Sequence, residues 1–276
     1  MIRTLSLLLP KVLLIGALGG TVVLGGCKTA DGPTVLGTSG SGTKNSPANG
    51  STDAPTNGPS ANAGNTANPA GGPRGNTPPA KVYTVDEIPA ELKNDAYEYY
   101  GLGRKIPISM TLNSAAGPQQ GAQDVRVLEV TPEMAKFEIT STDGLNLFGR
   151  NVVSLSKDGI RILESEIAKT RPNDFELPAG LTPGKTWTAV QTMEDGSRSL
   201  KVTIVQKVVG PKSLTTKVGT YPDALYVTGT GTGTFNGKPI KMKTETWYVK
   251  GRGTVRNVIA STTNGRTDTT TLEETK

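Results

Sequence analysis

Apolar and polar positions alternate differently in three stretches of the chain. From Val125 onward the apolar residues recur at every second position. Val125, Val127 and Val130 are followed by Phe137 and Ile139, and Ile160 and Ile162 flank Arg161. Leu200, Val202 and Ile204 alternate with Lys201 and Thr203, and Ile240 and Met242 alternate with lysines ahead of Trp247 and Val249. A period of two places one face of a strand on a core and the other in water. Between these runs stand Asp143-Gly144, Asp158-Gly159, Asp195-Gly196, Asn236-Gly237 and Asn264-Gly265. Such pairs suit two-residue hairpins, whose central residues need positive φ. The pattern predicts a mainly β domain over residues 82–276, with about eleven or twelve antiparallel strands joined to their neighbours. It lacks the helical segments of a parallel α/β sheet.

The helical period appears once. Thr84-Val85-Asp86-Glu87 has the form of a capping box. Ile88, Leu92, Ala96 and Tyr99 then recur at helical spacing, which predicts a short helix ending by Gly101 or Gly103.

Residues 27–81 show neither period. The stretch is Gly, Pro, Asn, Thr, Ser and Ala without an aromatic residue before position 82. It cannot bury enough apolar surface to offset the entropy of ordering it, so it reads as a disordered tether. A random coil of this length reaches about 40 Å r.m.s..

The first 26 residues carry Arg3 and Lys11 and then the apolar run from Val12 to Leu24. This is the n-region and h-region of a secretory signal. Leu24-Gly25-Gly26-Cys27 resembles the lipobox of bacterial lipoproteins, in which small residues precede a cysteine that takes up diacylglycerol. Gly25 departs from the usual Ala or Ser. A transmembrane anchor fits less well, because the run after Lys11 is about 13 residues and a spanning helix needs roughly 20. An ordinary cleaved signal leaves unexplained why the lone cysteine stands where the lipobox needs it. The resemblance implies a chain anchored through lipid on Cys27, on the extracytoplasmic side of a bacterial membrane.

Without residues 1–26 the chain has 28 basic and 24 acidic residues. That balance, with no cluster of cations interleaved with aromatics, argues against nucleic acid as a partner. Cys27 is the single cysteine and there is no histidine. Internal disulfides, Ser-His-Asp and Cys-His chemistry and nearly all zinc sites are therefore excluded. No spacing of acids points to another reaction, so no catalytic residue, metal or cofactor is expected.

Two glycine-rich tracts invite a nucleotide reading and do not support it. In Gly180-Leu181-Thr182-Pro183-Gly184-Lys185-Thr186 the spacing of a phosphate loop needs glycine where Ala179 stands, and a strand follows instead of a helix. In the tract from Thr228 to Phe235, glycine at every second position leaves one strand face bare. Such a face permits close approach of a chain, a ring or a ligand, although a bend that curves the sheet is the favoured reading. Trp187 and Trp247 are candidate pocket-lining residues, and core anchors on the bland reading.

Three blocks resemble a known family. Leu177-Pro178 with Gly184-Lys185-Thr186-Trp187, the run from Gly219 to Val227, and the run from Trp247 to Val255 are similar to exported bacterial lipoproteins of unassigned function related to LolA-like carriers. Val249-Lys250 departs from the Ala-Pro of the third block. The resemblance implies one large, strongly curved antiparallel sheet or half-barrel with a helix in its concavity, and no catalytic residues. Gly251 and Gly253 would form a tight bend, and Asp223 would hold a turn.

The expected function is that of a non-enzymatic envelope lipoprotein. Its partners would be the membrane, through Cys27, and a lipid or an envelope protein. The alternative is a structural or surface-displayed β domain without a pocket. Cys27→Ser is expected to abolish acyl labelling and membrane retention; unchanged labelling and retention in that variant would overturn the anchor.

Overall fold

The structure is a computed structural model. It describes residues 81–171, 173–195 and 198–276, together with the backbone of two short strands, β1 (Leu13–Gly16) and β2 (Thr21–Leu24), which pair antiparallel. Gly25, Gly26 and Cys27 of the lipobox and residues 28–80 of the linker lie outside the described residues.

The alternating pattern produces twelve antiparallel strands in one sheet. They are β3 (Ile108–Ser114), β4 (Gly117–Val130), β5 (Ala135–Ser141), β6 (Arg150–Ser156), β7 (Gly159–Ser165), β8 (Leu177–Pro178), β9 (Thr186–Asp195), β10 (Arg198–Thr215), β11 (Thr220–Phe235), β12 (Lys238–Val249), β13 (Gly253–Thr263) and β14 (Arg266–Glu274). The order is β8-β7-β6-β5-β4-β3-β14-β13-β12-β11-β10-β9. Every junction but one joins strands consecutive in sequence; β14 beside β3 brings the end of the chain back to the start of the sheet.

The sheet curls until its two edges nearly meet. Lys169, Thr170 and Glu176 lie along that seam. Lys169 N donates to Thr192 O of β9 at 2.8 Å, Thr170 Oγ1 to Leu163 O of β7 at 3.1 Å, and Glu176 N to Ile160 O at 2.9 Å. Shifts in register at Val127/Glu129, Val152/Val153, Val208/Gly210, Lys212/Leu214 and Trp247/Tyr248 add local twist.

The Asn-Gly turns behave as their chemistry dictates. Asn236 and Gly237 have φ of 48° and 74°, and Asn264 and Gly265 of 52° and 77°. Asp158-Gly159 also stands at a hairpin, between β6 and β7; β9 and β10 pair up to Asp195 and Arg198, and Gly196 of the Asp195-Gly196 pair lies outside the described residues. Asp143-Gly144 differs. It begins a 3₁₀ turn, Asp143–Phe148, that folds Leu145 and Phe148 inward to full burial against Ile108, Met110, Leu112 and Leu272. Two large apolar side chains directly after the turn signal outweigh the hairpin geometry.

The helix is shorter than its apolar stripe suggests. Pro89 disfavours the helical conformation at Ile88, which is extended (φ −71°, ψ 125°). The capping box therefore starts only a 3₁₀ turn, Val85–Glu87, with Thr84 N donating to Glu87 Oε2 at 2.8 Å. A second turn, Ala90–Leu92, precedes the helix proper, α1 (Asp95–Tyr100). Asn94 caps α1 by accepting from Tyr97 N at 3.1 Å, and Gly101 ends it in the left-handed region. Ile88, Leu92, Ala96, Tyr100 and Leu102 are buried in one cluster with Phe137, Val153, Leu155, Ile160, Val208 and Tyr248. The expected helix in the concavity is therefore present, at one end of it.

The glycine tract lies in β11 opposite large residues. Gly229, Gly231 and Gly233 pair with Gln206, Ile204 and Val202 on one side and with Thr244, Met242 and Ile240 on the other. A Cβ on Gly233 would lie 2.0 Å from Lys201 O, and one on Gly231 would lie 2.8 Å from Ile204 Cγ1. The bare strip thus allows the neighbouring strands and side chains to close over it. Gly233→Ala is expected to destabilise the domain by about 1–3 kcal/mol in urea unfolding, whereas exposed Thr232→Ala should stay within about 0.5 kcal/mol.

Candidate functional site

The concave face has two ends. Its inward positions follow from the registers: Trp187, Ala189, Gln191 and Met193 on β9; Leu200, Val202, Ile204, Gln206 and Val208 on β10; Ile240, Met242, Thr244, Thr246 and Tyr248 on β12. α1 packs against the end that holds Val208 and Tyr248. At the other end Met193, Leu200, Val202, Ile204, Ile240, Met242 and Ile259 form a separate apolar cluster, with Ala168 and Phe235 beside it. No residue of α1 belongs to that cluster.

Polar groups mark the boundary between the two ends. Thr244 Oγ1 lies 3.4 Å from Gln206 Oε1 in hydrogen-bonding geometry, and both side chains lean over Gly229. Gln191 Oε1 and Trp187 Nε1 are buried without a hydrogen-bond partner. A cavity of about 40 Å³ lies nearby, under the seam, lined by Ile162, Ala168, Phe175, Ala189 and Gln191 among others. Drug-sized ligands occupy pockets of roughly 300–1,000 Å³, so this void by itself holds only water-sized groups.

The two tryptophans are not brought together. Trp187 faces inward, half-buried against the cluster that contains α1. Trp247 is buried in a cluster on the opposite, convex side, with Leu214, Ala224, Tyr226 and Val255. Its ring and that of Tyr226 are tilted by 34° with centroids 4.6 Å apart, and Lys212 Nζ sits 3.9 Å from the Tyr226 centroid. Of the two candidate pocket-lining residues, only Trp187 belongs to the inner wall.

Beside this outer cluster lies a buried ion pair. Glu274 is fully buried. It accepts from Tyr221 Oη at 2.8 Å, from Arg252 Nε at 3.3 Å and from Arg252 Nη2. Strand β14, the β12–β13 turn and the β10–β11 hairpin are tied together there. Gly251 (φ 74°) and Gly253 (φ 95°) make the expected bend that presents Arg252. Asp223, expected to hold a turn, stands exposed in β11.

Burial shifts the titratable groups near both clusters. It pushes the Arg104 guanidinium down, to about 10, although Gln123 Oε1 accepts from its Nη2 at 3.1 Å. Tyr221 is raised to about 12 by burial and by its bond to Glu274, and Tyr226 to about 12 by burial and a bond to Glu245. Burial, then the charge of Glu176, also raises Tyr100 and Tyr248. Among the described residues no three acidic or thiol side chains converge as metal ligands. The concave face is thus an apolar wall, flanked by one structural cluster under the helix and another on the convex side.

Three solved structures superpose on part of the chain. A candidate lipoprotein from Parabacteroides distasonis matches at TM-score 0.42 and 16% identity, over 61% of this chain and 93% of its own. A candidate exported protein with a YmcC-like fold from Bacteroides fragilis matches at 0.42 and 14%, over 62% and 93%. The hypothetical lipoprotein YmcC from Escherichia coli matches at 0.32 and 13%, over 61% and 87%. None of the three is described as LolA-like. No family model and no curated protein matches the chain.

The raised tyrosines make the fold sensitive to alkali. A folded-state pKa of about 12 against an unfolded value near 10 means that the unfolded chain releases its protons first. The stability they contribute is complete below about pH 10 and is lost as pH rises toward 12. Urea midpoints should fall between pH 9 and pH 11 by more in the parent chain than in Tyr221→Phe. Equal falls would overturn the assignment for Tyr221.

Proposed function

We propose that the chain is a non-enzymatic envelope lipoprotein, exported under its N-terminal signal and held to a membrane through lipid on Cys27. Its β domain takes up an apolar chain, such as a lipid acyl group, on the inner wall built by β9, β10, β12 and β13. The observation that carries this reading is the second apolar cluster. Seven large side chains, from Met193 to Ile259, share the inner face with the cluster under α1, and α1 leaves them to another cover.

The position of the signal segment supports the same reading. The backbone of β2 runs beside β9 and beside the 3₁₀ turn Asp143–Phe148, and that of β1 runs beside β13 and β14. Both strands are apolar stretches upstream of Cys27. A chain cut before Cys27 would shed them and leave the wall open to an apolar replacement. Burying a single extended acyl chain there would gain about 0.8 kcal/mol per CH₂ group, enough for a lipid to hold without any charged contact.

The small size of the cavity favours a second reading, a structural domain with its interior filled by its own side chains. One experiment separates the two. In the mature Trp247→Phe chain, Trp187 is the only remaining tryptophan and reports on the inner wall. Titration with a fatty acid should shift its emission saturably, and native mass spectrometry of the purified chain should show a bound lipid. An unshifted spectrum with no bound lipid would decide for the structural reading.

A further inference from the structure

The convex side of the same wall has a different character. On β10 the outward positions Lys201, Thr203, Val205, Lys207 and Val209 are exposed, as are Thr230, Thr232 and Thr234 on β11 and Lys241, Lys243 and Glu245 on β12. The registers set them side by side. Val205 pairs with Thr230, which pairs with Lys243; Thr203 pairs with Thr232, which pairs with Lys241. With strands ~4.8 Å apart and ~3.4 Å per residue, four lysines fall within a patch of roughly 10 by 20 Å.

The charge of the domain is divided accordingly. Residues 198–249 hold eight basic and two acidic residues, a net +6, while the rest of 81–276 holds 17 basic and 20 acidic, a net −3. Of the two acids in the basic segment, Glu245 is engaged by Tyr226 and Asp223 lies in the stretch of β11 nearest the hairpin tip. The domain's ion pairs form elsewhere, at Lys136–Glu129, Arg150–Glu138, Lys169–Glu194 and Arg252–Glu274 for example; Lys201, Lys207, Lys241 and Lys243 form none among the described residues. Two large apolar side chains remain in water beside these lysines, Val205 between Lys201 and Lys207 at 49% exposure and Val209 just beyond Lys207 at 50%.

We propose that this outer face of β10, β11 and β12 docks on an anionic phospholipid surface. Cations on a flat, open sheet are drawn to the negative potential of anionic lipids. Lysine suits a diffuse surface of headgroups, since it offers a point charge and lacks the planar fork by which arginine grips a single phosphate. The exposed valines give the face apolar contact at the headgroup boundary, for which a soluble polyanion has no counterpart. The face is on the opposite side of the sheet from the apolar wall, so docking would leave the interior free, and it stands whether or not that wall takes a ligand.

Lysine footprinting of the full chain tests this. The chain is reconstituted with vesicles of phosphatidylcholine, either alone or containing phosphatidylglycerol, and each lysine's acetylation rate is read by mass spectrometry. With the anionic vesicles, Lys201, Lys207, Lys241 and Lys243 should be acetylated at least about threefold more slowly than with neutral ones. Lys93 and Lys157, exposed on other parts of the domain, should be unchanged. The protection should vanish in about 1 M NaCl, where the screening length is ~3 Å, and Lys241→Glu with Lys243→Glu should remove it from Lys201 and Lys207. Equal rates with both vesicles would overturn the proposal. So would protection by soluble dextran sulfate with none from the anionic vesicles, which would assign the face to a polysaccharide.

Discussion

A helix of six residues, α1, covers one end of the curved sheet. Alone, such a helix has no stability in water, since nucleation outweighs the few hydrogen bonds it can form. Here both ends are fastened to loops far away in the chain. At the N-terminus, Asn94 Oδ1 accepts from Tyr97 N, and Asn94 Nδ2 donates to Ser156 O at 3.0 Å in the β6–β7 turn. Asp95 next to it accepts from Gly180 N at 2.9 Å and Leu181 N at 2.6 Å, ahead of β9. At the other end Gly251 N donates to Glu98 O at 2.8 Å. Gly101 brings its backbone so near the β12–β13 turn that a Cβ would lie 2.6 Å from the Arg252 carbonyl. These bonds join both halves of the sheet through one short element, and the largest apolar cluster assembles beneath it.

That placement gives the two ends of the interior different chemistry. Under α1 the sheet meets a helix, and large side chains such as Phe137 and Leu155 are fully buried against it. Beyond the helix the same strands meet across a narrowing curve, and the glycines of β11 let them approach. The curvature that brings Val202 and Ile240 together over Gly233 also turns the opposite face outward, where the alternating partners are threonine and lysine. One periodic pattern therefore makes both the apolar wall and the basic face.

Much of this is legible in the residues. Period-two alternation and the Asn-Gly pairs place the strands, because each depends on neighbours in sequence. The parity of the same pattern also carries the fate of Trp247: Ile240 and Met242 point inward, so a residue at odd number on β12 points out. Asp143-Gly144 misleads because a turn pair is blind to the residues beyond it; Leu145 and Phe148, three apart and both apolar, draw the chain inward as a 3₁₀ turn. The apolar stripe overstates the helix because it takes no account of Pro89. Absent from any local pattern is the pairing of residues from distant segments. Glu274 with Arg252 and Tyr221, and α1 with three loops, both require the sheet to be assembled first. The lysines of β10 and β12 can be read singly as a wet face, but their convergence across the threonines of β11 needs the register.

The buried carboxylate closes the same circuit at the end of β14. Breaking a buried pair by removing one partner typically costs about 3–5 kcal/mol, whereas replacing both with packed apolar groups can cost nothing. Stability alone thus gives a weak reason for Glu274 to meet Arg252 and Tyr221. Position gives a better one. Glu274 lies at the end of β14, whose neighbour β3 is the only partner not consecutive in sequence, and Thr275 N donates to Ser109 O at 3.0 Å just beyond it. Slipping that junction by one residue would turn Glu274 to the other face and leave a charge unpaired. The charged contact therefore acts as a register pin at the one place where no hairpin turn can set the register.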